Sequence, residues 1–330
     1  MKSVENIKSV LFDITSSEAF NAYALEIFRF QYNYNAVYRS YIDAIHVPDD
    51  KVTTAGQIPF LPIGFFRYHE VISGDRGTEV IFNSSGTTAG RTSRHYVLDR
   101  SLYLTSVFKG FTYHYGLPSK YAFLALLPSY LEREGSSLVS MMEHLIKLSG
   151  HRASGFYLQD FDKLAHVLQQ LDDEGQQAML VGVSFALLDF IERFQFDLPR
   201  LTVMETGGMK GRRRELTREE LQMRLTGGFG VEVIHSEYGM TELLSQAYSK
   251  GHGRFRCPPW MKVLIRDTND PLTLVGHGTT GGINVIDLAN LYSCSFIATD
   301  DLGRTYDDGT FEVLGRLDNS DIRGCNLMIP

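Results

Sequence analysis

The sequence is poor in cysteine, with three in 330 residues, and none of them belongs to a C-x-x-C pair. Cys257, Cys294 and Cys325 lie far apart in the chain. A zinc knuckle or a disulfide framework needs closely spaced or numerous cysteines, so the sequence argues against both. Each cysteine is therefore interpreted as a free thiol, and most free thiols are small, buried apolar side chains.

Long apolar runs and an excess of positive charge are also lacking. No run approaches the roughly 18 apolar residues that a membrane-spanning helix requires, and Met1–Val10 contains no secretory apolar segment. We therefore expect a cytoplasmic protein without a membrane span. The net charge of −7 argues against a general nucleic-acid-binding protein.

What the sequence does contain is the composition and pattern of a globular α/β protein. Hydrophobic residues make up 43% of the chain and charged residues 22%, as in ordinary folded domains. Helical patterns alternate with apolar segments of strand length, which are Tyr121–Leu127, Ala178–Val183, Leu201–Met204 and Val231–Ile234. This alternation predicts a mostly parallel sheet flanked by helices, with ligands at the carboxyl ends of the strands. Near the start, Ser17 is predicted to cap a helix over Glu18–Tyr32. Thr217, with Glu220 three residues later, is predicted to form a capping box that opens a helix to Leu225.

The pattern changes near residue 254. Later segments are predicted to be strands joined by Gly and Asp turns with little helix between them: Phe255–Asp267, Gly282–Asp287, Ser295–Thr299 and Thr310–Leu314. The sequence thus predicts an α/β core over 1–253, a smaller β-rich subdomain over 254–316 and a tail over 317–330.

A cluster of small polar residues follows the apolar segment Glu79–Phe82, which is interpreted as the end of a buried strand. The cluster comprises Ser84, Ser85, Gly86, Thr87 and Thr88. Hydroxyl donors and a glycine that permits close approach of the backbone suit an anion, so the cluster predicts a polyphosphate-binding loop. A serine-rich surface turn is the alternative. A P-loop is disfavoured because the glycine spacing is one residue short and Arg91 stands where lysine is expected.

Two further stretches follow predicted strands. Thr206-Gly207-Gly208 offers adjacent glycines against which a flat adenine ring can lie, although Gly-Gly is also a common turn. The second stretch runs from Glu237 to Glu242. It provides an aromatic ring for a base at Tyr238, a flexible Gly239, a hydroxyl for phosphate at Thr241 and a carboxylate for Mg²⁺ at Glu242. The alternative is a strand-to-helix turn with Thr241 as the N-cap.

Acidic and basic residues near the end of the chain complete the set of candidate nucleotide-binding residues. Asp301, within Thr299-Asp300-Asp301, is a carboxylate that can accept both hydroxyls of a ribose, and Arg316 supplies a guanidinium. An Asp-Gly turn and a surface salt bridge are the alternatives.

The order of these motifs resembles that of the adenylate-forming enzymes, the superfamily of acyl-CoA synthetases, nonribosomal adenylation domains and luciferases. Ser84–Thr88, Gly207-Gly208, Tyr238–Glu242, Asp301 and Gly315–Asp318 match its phosphate loop, adenine loop, tyrosine-to-glutamate motif, ribose aspartate and hinge. The chain is most similar to the acyl-protein synthetases of bacterial bioluminescence, the fatty-acid ligase component of the fatty acid reductase complex. Two stretches support that branch, Phe255–Val263 and Asp287–Leu291.

The resemblance implies the large N-terminal region of such an enzyme, with the small C-terminal domain and its adenylation lysine absent. The cations that are candidates to replace that lysine are Arg91, Arg94, Lys210 and Arg323. The resemblance also implies ATP and Mg²⁺ as cofactors, a carboxylic acid as substrate, and Cys325 as the acceptor of the acyl group. A reductase or an acyl carrier protein is the implied partner, and the basic run Lys210–Arg214 is either its docking site or a solvated face.

Three hypotheses result. In the first, a carboxylic acid, most simply a fatty acid, is adenylated and then transferred to Cys325 as a thioester. In the second, the acyl group passes to coenzyme A or an acyl carrier protein, and Cys325 is an inert thiol. In the third, the chain is a non-catalytic relative that binds nucleotide.

Overall fold

The computed structural model describes residues 2–84, 91–128, 135–158, 160–207 and 216–317. The chain divides into two compact units, here called unit 1 and unit 2. Unit 1 combines Met1–Asp75 with Pro259–Pro330, and unit 2 comprises Arg76–Pro258. The domains predicted from the sequence, with boundaries at residues 253 and 316, are each continuous in the chain. Unit 1 instead joins segments that are far apart in sequence. The predicted boundaries stay a prediction.

Within the described residues, the helices are α1 Lys2–Val10, α2 Ser17–Tyr34, α3 Ala36–Ala44, α4 Phe65–Tyr68, α5 Arg100–Tyr115, α6 Ser137–Ser149, α7 Phe161–Asp173, α8 Ser184–Arg193 and α9 Arg218–Phe229. The strands are β1 Leu61–Pro62, β2 Val80–Asn83, β3 Arg94–Val97, β4 Ala122–Leu126, β5 Gly155–Phe156, β6 Ala178–Val183, β7 Thr202–Thr206, β8 His235–Tyr238, β9 Ala247–Ser249, β10 Phe255–Arg256, β11 Met261–Arg266, β12 Leu274–Val275, β13 Gly281–Asp287, β14 Phe296–Thr305 and β15 Thr310–Arg316. None of the helices in these ranges is long and apolar enough to cross a membrane.

Unit 2 is built on a mainly parallel sheet with the strand order β5-β4-β6-β7-β8-β9-β10. The strands from β5 to β8 pair in parallel, and β9 and β10 are antiparallel to their neighbours. Every residue of β4 and β6 is buried, because helices α6, α7 and α8 contact these strands. The predicted strands at these positions, the parallel sheet and its helical cover are confirmed.

Local signals define the helix ends of unit 2. Thr217 Oγ1 accepts a hydrogen bond from the Glu220 N–H at 3.2 Å, so it caps α9 as its sequence context predicts. The helix ends at Gly230, whose φ of 65° is a left-handed conformation that glycine adopts without strain.

Two predictions about strands in unit 2 are wrong. Val231–Ile234 is not a strand; pairing with β7 begins at His235, because the chain is still leaving α9 with the Val231 N–H bonded to Thr226 O. The segment before the small polar cluster is not a buried strand either. It forms β2, which pairs with β3 in a separate two-stranded sheet, and Ile81 is 38% exposed while Phe82 is buried.

Unit 1 is an antiparallel sheet with the order β12-β11-β13-β14-β15, and β1 pairs in parallel with β14. A cluster of aromatic rings packs against β14, with centroid distances of 6.1 to 6.4 Å among Phe28, Tyr38, Phe60 and Phe296. The predicted N-cap of α2 is wrong by one residue. Ser16, not Ser17, accepts the bond from the Ala19 N–H, because the chain before α2 is still extended at Ser16.

Candidate functional site

The predicted phosphate loop joins the antiparallel strands β2 and β3. Ser84 closes its base, since the Ser84 N–H donates to Ser93 O at 3.0 Å and the Ser93 N–H donates to Ser84 Oγ at 2.9 Å. The Asn83 N–H donates to Gly135 O. Ser85, Gly86, Thr87 and Thr88 lie outside the described residues, so their predicted role stays a prediction.

Thr206 and Gly207 lie at the carboxyl end of β7, as predicted. Gly207 has a φ of 64°, which favours glycine. The Ser184 hydroxyl, at the start of α8, donates to Gly207 O at 2.9 Å and fixes the chain as it leaves the strand. Gly208 lies outside the described residues.

The stretch from Glu237 to Glu242 begins within β8 and continues as a tight turn into β9. A Cβ at Gly239 would collide with Glu237 Oε1, so a larger residue there would displace the Glu237 carboxylate. No helix follows Thr241 in the described segment 216–317, so the alternative of a helix N-cap is wrong. The turn has this form because β9 pairs antiparallel with β8 only a few residues later.

The side chains of this turn are largely enclosed. Tyr238 is 9% exposed and its ring meets Phe255 edge-on at 6.0 Å. Glu242 is 5% exposed. His95 on β3 contributes a contact that the sequence did not reveal, since its Nδ1 lies 2.8 Å from Thr241 O. A carbonyl oxygen only accepts, so the His95 Nδ1–H is the donor, and this bond holds the turn in place.

Two carboxylates lie at the ends of β7 and β8. The Ser184 hydroxyl donates to Glu205 Oε2 at 3.1 Å, and the Thr206 hydroxyl donates to Glu237 Oε2. Burial raises the pKa of Glu237 to about 7, with a smaller contribution from the charge of Glu205, and the bond from Thr206 opposes the rise. Burial also raises the pKa of Glu205. The edge therefore carries less negative charge at neutral pH than two ordinary carboxylates would.

The neighbouring part of unit 2 combines tyrosine and histidine side chains with a cation, since Lys250 Nζ lies 5.3 Å from the centre of the Tyr115 ring. The Tyr115 hydroxyl lies 3.1 Å from His235 Nδ1, and the Tyr115 and Tyr248 rings meet edge-on at 5.5 Å. Burial lowers the pKa of His235, and of His114, to about 4. Both imidazoles are thus neutral at pH 7.

In unit 1, the predicted ribose aspartate lies on an irregular part of β14. In the pairing of β13 with β14, Gly282 lies opposite Leu302 and Asn284 lies opposite Ala298. A single β13 residue, Ile283, therefore faces three β14 residues, Thr299 to Asp301. These residues therefore leave the regular ladder. Across β15, Asp301 pairs with Arg316, and Arg316 Nε lies 3.8 Å from Asp301 Oδ1. The structure thus brings these two predicted residues together.

Of the proposed replacement cations, Arg91 and Arg94 are described, and both are exposed. The guanidinium of Arg94 lies 5.6 Å from the centre of the Tyr96 ring. Lys210, Arg323 and the predicted acyl acceptor Cys325 lie outside the described residues. Among the described thiols, Cys294 is fully buried, and burial raises its pKa to about 12, which makes it a poor nucleophile.

A scan against protein-family models finds no match to this chain, and a search of curated proteins finds none. Solved structures do match. MatB from Rhodopseudomonas palustris with ATP bound is 17% identical, with a TM-score of 0.56 over 74% of this chain and 50% of MatB. The chain thus spans about half the length of MatB.

Two further structures extend the comparison. A 2-hydroxyisobutyryl-CoA ligase in complex with 2-HIB-AMP and CoA has a TM-score of 0.70 at 11% identity, over 92% of this chain and 68% of the ligase. A luciferase-like enzyme from the mealworm Zophobas morio has a TM-score of 0.50 at 19% identity, over 78% and 62% of the two chains. At these identities the likeness shows that the chain shares a fold with MatB, the 2-hydroxyisobutyryl-CoA ligase and the luciferase-like enzyme.

Proposed function

We propose that this chain activates a carboxylic acid with ATP, forming an acyl-adenylate and releasing pyrophosphate. The acyl group then passes to the thiol of Cys325 for delivery to a reductase. The observation that carries the proposal is the turn after β8. This turn follows Tyr238, the last residue of β8, and contains Thr241 and the buried Glu242, in a fold shared with ATP-bound MatB.

Strand order explains why these segments lie together. β7 and β8 are parallel neighbours, so their carboxyl ends meet at one edge of the sheet. The bond from the Thr206 hydroxyl to Glu237 spans the two strand ends directly. In the proposal, a nucleotide binds at this edge between Gly207, which follows β7, and the Tyr238–Glu242 turn, which follows β8. This arrangement supports the adenine and phosphate roles of Gly207 and Thr241.

The first step is an in-line displacement. A carboxylate oxygen of the substrate attacks the α-phosphorus of ATP, and the bond to the bridging oxygen of pyrophosphate breaks. Positioning and donors directed at the phosphates lower the barrier. In the proposal Ser84–Thr88 and Thr241 supply these donors, and Asp301 and Arg316 bind the ribose.

Mg²⁺ fits the residues that are present. Mg²⁺ is usually bound by one or two carboxylates together with substrate phosphates, and the described residues contain no larger group of His, Cys, Asp and Glu side chains suited to a metal. Glu242, enclosed in the turn, would supply the carboxylate, and the bound ion would offset the phosphate charge.

The second step is proposed from the sequence near Cys325. The Cys325 thiolate attacks the acyl carbon, the bond to the AMP oxygen breaks, and a thioester forms with loss of AMP. Arg323, two residues before Cys325 in the sequence, is a cation that would favour the thiolate. The proposed substrate class is fatty acids.

Transfer to coenzyme A is the second candidate. It is favoured by the likeness to the 2-hydroxyisobutyryl-CoA ligase, whose structure contains CoA. An acyl carrier protein is the related alternative, and either would leave Cys325 without a role in catalysis.

Pyrophosphate–ATP exchange tests the proposal most directly. Purified protein with ATP, Mg²⁺ and a panel of short, long and aromatic carboxylic acids should exchange labelled pyrophosphate into ATP with at least one acid, with fatty acids fastest. ATP binding without exchange for any acid would instead indicate a non-catalytic nucleotide-binding protein.

A further inference from the structure

Arg266, the last residue of β11, has a buried guanidinium inside the sheet of unit 1. It is 9% exposed. Its Nη1 donates to Ile283 O at 2.7 Å and to Asn284 Oδ1 at 2.8 Å, and its Nη2 donates to Thr299 O at 2.6 Å. Burying a charge is costly unless hydrogen bonds compensate it, so this cluster of short bonds requires an explanation.

Two of the three acceptors, Thr299 O and Ile283 O, belong to the irregular part of β14 and to the residue that faces it, and the third is the side chain of the next β13 residue, Asn284. Ile283 is the single β13 residue opposite Thr299–Asp301, so regular ladder bonds are not formed there. The fork of Arg266 supplies donors to carbonyls on both strands. It spans the irregularity in the place of the missing ladder bonds.

Thr299 extends this connection to Asp301. The Thr299 hydroxyl donates to Ile283 O at 3.0 Å, and Thr299 Oγ1 accepts a hydrogen bond from the Asp301 N–H at 3.1 Å. Two hydrogen bonds to Thr299, one from the Arg266 guanidinium and one from the Asp301 N–H, therefore connect Arg266 to the backbone of Asp301. The conformation of that backbone decides where the Asp301 carboxylate points.

Two glycines of β13 make room for Arg266, Gly282 for its guanidinium and Gly281 for its backbone. A Cβ on Gly282 would lie 2.5 Å from Arg266 Cζ, and a Cβ on Gly281 would collide with Arg266 O. Neither glycine has a positive φ, so free space, not backbone conformation, is what the small residues provide. The pair Gly281-Gly282 and Arg266 thus form one packing arrangement.

We propose that Arg266 is a positioning residue for Asp301. It fixes the irregular segment of β14 so that the Asp301 carboxylate can accept the two ribose hydroxyls of ATP. The inference rests on the proposed function, because it assumes that Asp301 binds the ribose.

Discrimination between ATP and 2′,3′-dideoxy-ATP tests this role, because it reports on ribose recognition and not on folding. The dissociation constants of both nucleotides are measured by titration calorimetry, without any acid substrate. The proteins are wild type, Asp301→Ala, Arg266→Met, Arg266→Lys and Gln31→Leu. Gln31 is a matched control in unit 1, because it is fully buried and bonds to Asn290 O, Leu291 O and Ser295.

Wild type should prefer ATP by about tenfold or more, which is the loss expected for hydrogen bonds to a charged group. Asp301→Ala and Arg266→Met should reduce the preference to within about twofold of unity, with Arg266→Lys intermediate because an ammonium lacks the planar fork. Gln31→Leu should lower the melting temperature as Arg266→Met does and keep the wild-type preference. If Arg266→Met does not fold, Arg266→Lys decides.

Three outcomes contradict the inference, and they are distinguishable. If both Arg266 variants keep the wild-type preference for ATP over the dideoxy nucleotide while Asp301→Ala loses it, only the positioning role of Arg266 is overturned. A wild type that binds ATP without preferring it over the dideoxy nucleotide overturns the ribose role of Asp301 as well. A wild type that binds neither nucleotide overturns the proposed function itself.

Discussion

The two units place their polar residues by different means. In unit 2, Gly207 and the Tyr238–Glu242 turn follow parallel neighbouring strands, and parallel strands end at the same edge. In unit 1 the strands are antiparallel, so their carboxyl ends alternate between the two edges. Asp301 instead lies in the middle of β14 and leaves the ladder through a register shift.

The difference determines what each region depends on. Strand order is sufficient to gather the segments of unit 2, and local contacts such as the bond from His95 to Thr241 O refine them. In unit 1, a register shift exposes backbone groups inside a sheet, and a buried Arg266 satisfies them. Substitutions of residues that do not contact the nucleotide are therefore expected to weaken its binding more in unit 1 than in unit 2.

The largest effect is expected from Glu242→Ala in unit 2. Removing the proposed Mg²⁺ ligand should lower pyrophosphate–ATP exchange by about a thousandfold or more, since charge stabilisation at the phosphates is lost. Exchange rates across Mg²⁺ concentrations, with circular dichroism to verify folding, measure this. Glu232→Gln is the control, because Glu232 is an exposed carboxylate of the same unit. A Glu242→Ala enzyme with normal exchange and Mg²⁺ dependence would remove this residue from the site.

Cys325→Ser should abolish only the second step. With ATP and the preferred fatty acid, wild type should gain one acyl mass that neutral hydroxylamine removes. The variant should exchange pyrophosphate normally but carry no label, because ATP chemistry precedes the thiol. Intact-mass spectrometry measures the label, and Cys257→Ser and Cys294→Ser should label as wild type does. Labelling that persists in Cys325→Ser would assign the acceptor elsewhere, and adenylate formation without any label would favour coenzyme A or a carrier protein.

Asp301→Asn in unit 1 should weaken ATP binding by about tenfold, because an amide cannot accept both ribose hydroxyls. Its neighbour offers a matched control. Asp300 lies 3.7 Å from Arg67 at the surface, and Asp300→Asn should change the ATP dissociation constant less than about twofold. Equal effects of the two substitutions would show that charge near β14, and not a contact of Asp301, determines affinity.

The smallest effect is a pH dependence in unit 2. The folded pKa of Glu237, about 7, is above its unfolded value. The folded state therefore binds more protons between the two pKa values, and stability is lost as pH rises through the folded pKa. Glu237→Gln keeps an acceptor for Thr206 and should raise the melting temperature at pH 8 by about 3 °C or more. Near pH 4 the difference should vanish. A difference that is constant with pH would mean that Glu237 is charged in the folded protein.

Much of unit 2 could be predicted from the sequence. Continuous apolar runs identified β4 and β6 because strands buried on both faces leave no polar position. Thr217 identified the start of α9 because a cap acts within one turn. The prediction for the segment before β8 is wrong because the apolar residues Val231, Val233 and Ile234 suit a paired strand and an unpaired packed segment equally well.

In the candidate site, too, features that depend on neighbouring residues could be predicted, and features that depend on distant residues could not. Motif order alone identified Gly207, Tyr238, Thr241, Glu242, Asp301 and Arg316 as candidates. It did not reveal His95 or Arg266, since each acts on a residue far away in sequence. Nor did it indicate that Glu237 has a raised pKa, because desolvation depends on everything packed around the carboxyl group.

The sequence by itself thus determined the buried strands β4 and β6, the N-cap of α9 and the residue types of each motif, because these depend on neighbours within a few positions. Only the tertiary structure decided that Met1–Asp75 shares a unit with the chain from Pro259, and that β14 shifts register at Thr299–Asp301. Pairing between distant segments is a choice among many partners of similar composition. Packing of the whole chain resolves that choice, and with it the surroundings of every charged group.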